Sequence, residues 1–120
     1  MQQEKARDLE LSELTLELKE LNEEYYAAIN DIVRVLISED NAVTDRAIAS
    51  VKAENGNYFA LKGIRPKELD VEAFRKDKIL RGLVINQIMA QNPDAFEKVN
   101  SEYQPTIKSM ELRIKALQGR

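Results

Sequence analysis

Apolar residues recur alternately every three and four positions along the N-terminal part of the chain. This spacing puts them on one face of an α-helix, and over about four heptads it is typical of a coiled coil. Residues 1–55 contain no Pro or Gly, so no residue type there interrupts a helix. The sequence therefore predicts a long helix over residues 4–38, with an apolar seam formed by Leu11, Leu14, Leu18, Leu21, Tyr25, Ala28, Ile32 and Val35.

The length of this helix predicts a partner for the seam. At a rise of 1.5 Å per residue, residues 4–38 would extend for about 50 Å. A compact domain of 120 residues has a radius of gyration of only about 13–14 Å. Part of the helix should then project or pair with a second copy of the chain. We expect a homodimer whose self-association residues are Leu11, Leu14, Leu18, Leu21 and Tyr25.

A row of glutamates follows the same helix beside the seam. Its members are spaced three and four residues apart, and residues 1–45 hold 12 acidic and 4 basic residues. The row is either a solvated or intramolecularly paired face, or a surface for a partner protein with a basic surface. If the last helix packs antiparallel on the first, the flank that carries Arg113 and Arg120 would face the flank that holds Glu10 and Glu17. Charge favours either this pairing within one chain or a parallel dimer of the first helix. The candidate partner-binding residues are Glu10, Glu13, Glu17, Glu20 and Glu24.

The fold class predicted for the whole chain is all-α. We expect a single domain, 1–120, with a helical arm at 4–38 and a helical body at 43–120 made of three to four shorter helices. The pattern of residues 46–64 fits two different structures. Alanines favour a helix there, capped by Thr44 or Asp45 and closed by a left-handed Asn55 and Gly56, whereas the same Asn-Gly pair also favours a short β-hairpin. Residues 43–49 also resemble the opening of a helix-turn-helix, although the expected turn glycine is missing.

Three further helices are predicted downstream. Asp70 can cap a helix over residues 71–91, where apolar residues cover most of the circumference and Gly82 suggests a close helix crossing. Asn92 and Pro93 are typical of a new helix start, and Pro105 predicts a break followed by a last helix. The seam of that last helix consists of Ile107, Met110, Ile114 and Leu117.

A basic segment gives an alternative function. Residues 62–81 hold 7 basic and 4 acidic residues, and clustered bases can neutralise phosphates. The alternative hypothesis is a dimeric nucleic-acid-associated regulator. Its candidate phosphate contacts are Lys62, Arg65, Lys67, Arg75, Lys78 and Arg81.

Composition removes several chemistries. The chain has no Cys and no His, which excludes thiol nucleophiles, Cys/His zinc sites and His-dependent triads. No apolar run is long enough for a signal peptide or a membrane span, so we expect a cytoplasmic protein without a membrane partner. We predict no catalytic residue, metal or cofactor. The main functional hypothesis is a non-enzymatic protein–protein interaction protein, an adaptor, assembly factor or inhibitor that uses its acidic coiled-coil helix.

Overall fold

The computed structural model describes residues 2–119 and the side chains of residues 4–119. Six α-helices and one 3-10 helix make up this part of the chain, and it contains no β-strand, which confirms the all-α fold class. The 3-10 helix covers Pro66–Glu68. The α-helices are α1 (Gln2–Glu39), α2 (Ala42–Glu54), α3 (Gly56–Lys62), α4 (Val71–Lys76), α5 (Lys78–Gln91) and α6 (Pro93–Gln118).

The chain divides into two compact units. The two-helix unit comprises Met1–Asp31 together with Glu97–Arg120, and the middle unit comprises Ile32–Phe96. The two-helix unit is therefore built from most of α1 and most of α6. The single domain 1–120, with its arm and its body, stays a prediction.

The middle unit is held together by α2, α4 and α5, which pack on one another. Lys52 on α2 also contacts the loop before α4 and α4 itself. Its amine donates to the carbonyl of Leu69 at 3.0 Å and lies 5.7 Å from the ring centroid of Phe74. Burial of apolar side chains drives the packing. The buried residues of these helices and of α3 are Val43, Ala47, Ile48, Val51, Phe59, Phe74, Leu80, Val84 and Ile88.

The helical interpretation of the uncertain stretch is confirmed, and the β-hairpin over residues 46–64 is wrong. Ala47, Ile48 and Val51 lie on one buried face of α2, an arrangement that the helical period allows and an alternating strand would not. Asn55 is not left-handed, since its φ is −114°, and its side-chain amide donates to the carbonyl of Val51 at 2.9 Å. The left-handed residue is instead Gly63, with φ 67°, at the end of α3.

The start of α2 also differs from the prediction. The helix begins at Ala42, ahead of the expected caps Thr44 and Asp45. The carboxylate of Asp40 accepts a hydrogen bond from the backbone N–H of Ala42 at 3.0 Å. It also accepts from the guanidinium of Arg46 at 2.8 Å. A cap accepts hydrogen bonds from the free N–H groups at a helix start. Asp40 does this for α2 in place of the expected Thr44 or Asp45.

The predicted helix over residues 71–91 is two helices. Asp70 caps α4 as expected, accepting from the N–H of Ala73 at 2.9 Å. Asp77 then interrupts the helix, because its carboxylate accepts from the N–H groups of Ile79 and Leu80 at 2.9 and 3.1 Å and starts α5. The close crossing expected at Gly82 is wrong, since a Cβ built on this glycine meets no atom within 4 Å.

Pro105 does not end a helix. The structure continues α6 from Pro93, its predicted first residue, through Pro105 to Gln118. An interior proline removes one backbone hydrogen bond and costs about 3 kcal/mol. Pro105 is exposed, so the carbonyl that loses its partner can bond to water, while Val99 and Ile107 on either side are buried. Burial on both sides of the proline offsets its cost and keeps the helix continuous.

Candidate functional site

The predicted leucine seam lies along the two-helix unit. Tyr25 is buried at 6% exposure, and Leu11, Leu14, Leu18 and Leu21 are half-buried. The outlying leucines Leu9 and Leu16 are 61% and 57% exposed, on the opposite side of α1 by helical geometry. Isolated exposed leucines are normal on a protein surface. From Leu11 to Tyr25 the apolar face of α1 is therefore the predicted one. Further along α1 the predicted seam is wrong, because Val35 is 55% exposed while Ile29 and Val33, which lay outside the seam, are buried.

Polar contacts fix the direction in which α6 lies against this face. The carboxylate of Glu10 pairs with the guanidinium of Arg113 at 2.9 Å, near the start of α1 and the end of α6. The hydroxyl of Tyr25 contacts the side chains of Asn100 and Gln104, further along α1 and earlier in α6. The two helices therefore run antiparallel. The predicted pairing of the Glu10 flank with Arg113 is confirmed, whereas Arg120 lies outside the described residues.

The matching face of α6 consists of the predicted seam residues. Ile107 and Leu117 are buried, and Met110 and Ile114 are half-buried. Because α6 is continuous through Pro105, it reaches along α1 at least as far as Glu10. The ion pair itself contributes little, about 0–1 kcal/mol, because both side chains are about half exposed.

Sequence reasoning missed the polar partners of Tyr25. Asn100 and Gln104 are four residues apart, so they lie on one face of α6 and both reach the tyrosine hydroxyl. The signal was present in the sequence, since two amides at helical spacing lie among the apolar residues Val99, Tyr103 and Ile107. The ring of Tyr103 adds a tilted contact with Tyr25, with centroids 5.6 Å apart.

The glutamate row divides into one paired and four free members. Glu10 is half-buried and pairs with Arg113. Glu13, Glu17, Glu20 and Glu24 are exposed, and none of the four makes a salt bridge with any residue of the described chain 2–119. They extend for about 16 Å at 1.5 Å per residue. We call these four residues the acidic face.

The basic segment does not lie on one helix. Its members come from α3, from the loop and 3-10 helix that follow, and from α4 and α5, and all are exposed. Two of its arginines are engaged by carboxylates nearby, Arg65 with Glu68 at 3.7 Å and Arg75 with Glu72 at 3.1 Å. These pairs lower the charge available for phosphates. The remaining candidate contacts are Lys62, Lys67, Lys78 and Arg81, and all of them are exposed.

In the middle unit, two hydrogen bonds act on the carboxylate of Asp40. The hydrogen bond from Arg46, with the one from the backbone of Ala42, lowers the pKa of Asp40 below its ordinary value of 3.8. This is a capping and ion-pairing effect at an exposed helix start. Over residues 2–119, no three Asp or Glu side chains come together in a group that could hold a metal ion. Within the same residues, no helix combines the length and apolar character that crossing a membrane requires.

Comparisons with known proteins add no family. The chain matches no protein-family model, no curated protein and no solved structure. The candidate site is therefore defined by its own geometry, an antiparallel helix pair with four exposed glutamates on one side.

Proposed function

We propose that this chain is a non-enzymatic interaction protein, an adaptor, assembly factor or inhibitor, that presents its acidic face to a protein with a basic surface. The observation that carries the proposal is that Glu13, Glu17, Glu20 and Glu24 are exposed and make no salt bridge within residues 2–119. Glu10, the fifth glutamate of the row, is already paired with Arg113.

The rigidity of the underlying helix supports this proposal. The four carboxylates sit on α1, which is continuous from Gln2 to Glu39 and packs against α6 in the two-helix unit. Carboxylates held on one helix do not lose backbone freedom when they bind, which lowers the entropic cost of association. Complementary charge on a partner would accelerate encounter and fix orientation.

The proposed function includes a homodimer, and the position of α6 changes which surfaces of the two copies would meet. The leucine seam does not need the α1 helix of a second copy as its only cover, because α6 of the same chain already lies along it. Leu11, Leu14, Leu18 and Leu21 nevertheless remain only half-buried, so part of their apolar area is left for a second copy. We therefore propose that two helix pairs, rather than two single helices, associate. Light scattering over a concentration series measures this, and a mass of one chain at every concentration would contradict it.

The test of the main proposal is capture from a lysate with the tagged chain, with and without nuclease. The variant Glu13→Gln/Glu17→Gln/Glu20→Gln removes three charges from the acidic face. A matched control, Glu39→Gln/Glu97→Gln/Glu111→Gln, removes three exposed glutamates elsewhere. We expect one protein to be retained after nuclease treatment, to be lost with the first variant and to be kept with the control. Its binding should also weaken as salt rises.

Two other outcomes would replace the proposal. Equal capture by the parent and the acidic-face variant would show that the glutamates do not bind the partner. Recovery of nucleic acid, or of proteins that disappear with nuclease, would favour a nucleic-acid-associated regulator that uses Lys62, Lys67, Lys78 and Arg81.

Cytoplasmic location stays a prediction, and fluorescence microscopy of the tagged chain measures it.

A further inference from the structure

A small polar cluster interrupts the apolar contact between α1 and α6. The hydroxyl of Tyr25 donates to the side-chain oxygen of Asn100 at 2.5 Å and accepts from the side-chain amide of Gln104 at 2.9 Å. Tyr25 is only 6% exposed, and its ring lies against that of Tyr103. A hydroxyl can donate one hydrogen bond and accept two. This hydroxyl is therefore satisfied as donor and as acceptor in this arrangement.

The apolar residues alone do not select this arrangement. Both seams repeat at spacings of three and four, so moving one helix by seven residues would again set apolar residues against apolar residues. A second α1 could likewise lay its leucines against those of the first, as in a parallel coiled coil. Burial of area is non-directional and scarcely distinguishes these alternatives.

The polar cluster does distinguish them. A slip of one heptad along α1 would place Asn100 and Gln104 against Leu18 in place of Tyr25, and a leucine side chain has no group that can form a hydrogen bond with either amide. In a parallel pair of α1 helices, Tyr25 would meet its own counterpart and neither amide. A polar group that loses its partner on burial costs free energy, so each alternative carries a penalty that the observed pairing avoids.

We propose that Tyr25, Asn100 and Gln104 are specificity residues that make the leucine face of α1 accept α6 in this register and reject a second bare α1. This inference goes beyond the proposed function, because it concerns which helix occupies the leucine face and not which protein binds the acidic face. A dimer of helix pairs remains compatible with it, since each pair keeps its own cluster. A single polar residue in an apolar seam has the same effect in coiled coils, where it fixes register at a cost in stability.

The test replaces the cluster by apolar groups of similar size. The variant Tyr25→Phe/Asn100→Leu/Gln104→Leu removes the cluster, and Tyr58→Phe/Asn57→Leu/Asn86→Leu is a matched control outside the helix pair. Because the chain has no cysteine, spin labels can be placed at Ser12→Cys and Ser109→Cys, which are exposed on α1 and α6. Pulsed electron resonance then measures the distance between labels, and dilution with unlabelled protein separates contacts within a chain from those between chains.

We expect the parent and the control to give one narrow distance. The cluster variant should keep its helicity and its thermal midpoint, or raise the midpoint, and should show a second population. That population would correspond either to a register moved by about 10 Å along the axis, which is seven residues at 1.5 Å, or to label pairs from two chains. One unchanged distance with an unchanged mass would overturn the inference. So would loss of helicity, because the cluster would then stabilise the pair instead of selecting it.

Discussion

Gly82 provides a direct test of the packing in the middle unit. It lies inside α5, between Lys78 and Gln91, and is exposed. A Cβ at this position would meet no atom within 4 Å. Glycine is about 0.8–1.0 kcal/mol less favourable than alanine inside a helix, because its unfolded backbone has more freedom to lose. We therefore expect Gly82→Ala to raise the free energy of unfolding by about 1 kcal/mol.

A matched glycine supplies the control. Gly63 also has open space around a built Cβ, but its φ is +67°, which L side chains rarely adopt. It ends α3, where its N–H bonds to the carbonyl of Ala60 at 3.1 Å. The left-handed conformation costs an alanine about 1–2 kcal/mol, part of which is offset by the smaller entropy of the unfolded chain. We expect Gly63→Ala to lower the free energy of unfolding by about 1 kcal/mol.

Urea unfolding followed by helicity measures both changes on the same scale. For a chain of this size, 1 kcal/mol corresponds to a change of about 3–5 °C in the thermal midpoint. The two substitutions add the same methyl group into open space, so opposite signs would isolate the backbone conformation as the cause. A Gly82→Ala variant that is destabilised would refute the reasoning, because it would mean that a helix approaches Gly82 closely after all.

Three further perturbations follow from the contacts described above. Asp77→Ala removes the cap that starts α5 and should cost about 1 kcal/mol in urea unfolding, and an unchanged midpoint would show that the break does not depend on the carboxylate. The carboxylate of Asp40 has a lowered pKa in the folded chain, so the stability that it contributes is complete above its ordinary value of 3.8 and is lost as the pH falls through the lowered folded value. The urea midpoints of the parent and Asp40→Asn should therefore differ near neutral pH and converge below about pH 3.8, and a constant difference down to pH 2 would contradict this. Leu14→Ala/Leu18→Ala should cost about 2–4 kcal/mol, less than two fully buried leucines would, and an unchanged thermal midpoint would show that the seam is not packed.

Sequence periodicity was sufficient for the elements with long, regular patterns. The seam of α1 and the seam of α6 were both read from spacings of three and four, and their polar flanks correctly brought Glu10 to Arg113. Local capping chemistry was equally informative where one side chain decides the outcome, as Asp70 does at the start of α4. These features depend on residues within one or two helical turns, which is the range over which sequence patterns act.

Positions where two local rules compete were not predictable in the same way. Aspartate is tolerated inside an exposed helix and is also a favoured helix cap, so position 77 allowed either structure. In the structure its carboxylate accepts from the N–H groups of Ile79 and Leu80 and starts a new helix. The spacing of the glutamates predicted the row but not which of its members would form ion pairs. The position of Arg113 in the structure shows that Glu10 is paired.

The sequence by itself determined that this protein is helical, where its longest helix lies, and which faces of the helix are apolar and acidic as far as Tyr25. Tertiary structure decided three things that local rules had favoured differently or left open: that α6 continues through Pro105, that Asn55 joins α2 to α3 in place of a hairpin turn, and that Tyr25 meets Asn100 and Gln104. For the third, the reason is that the hydroxyl of Tyr25 needs hydrogen-bond partners when it is buried. For the first two, it is a difference of magnitude. Local preferences amount to about 1–3 kcal/mol, and the burial of apolar side chains from distant parts of the chain is large enough to outweigh them.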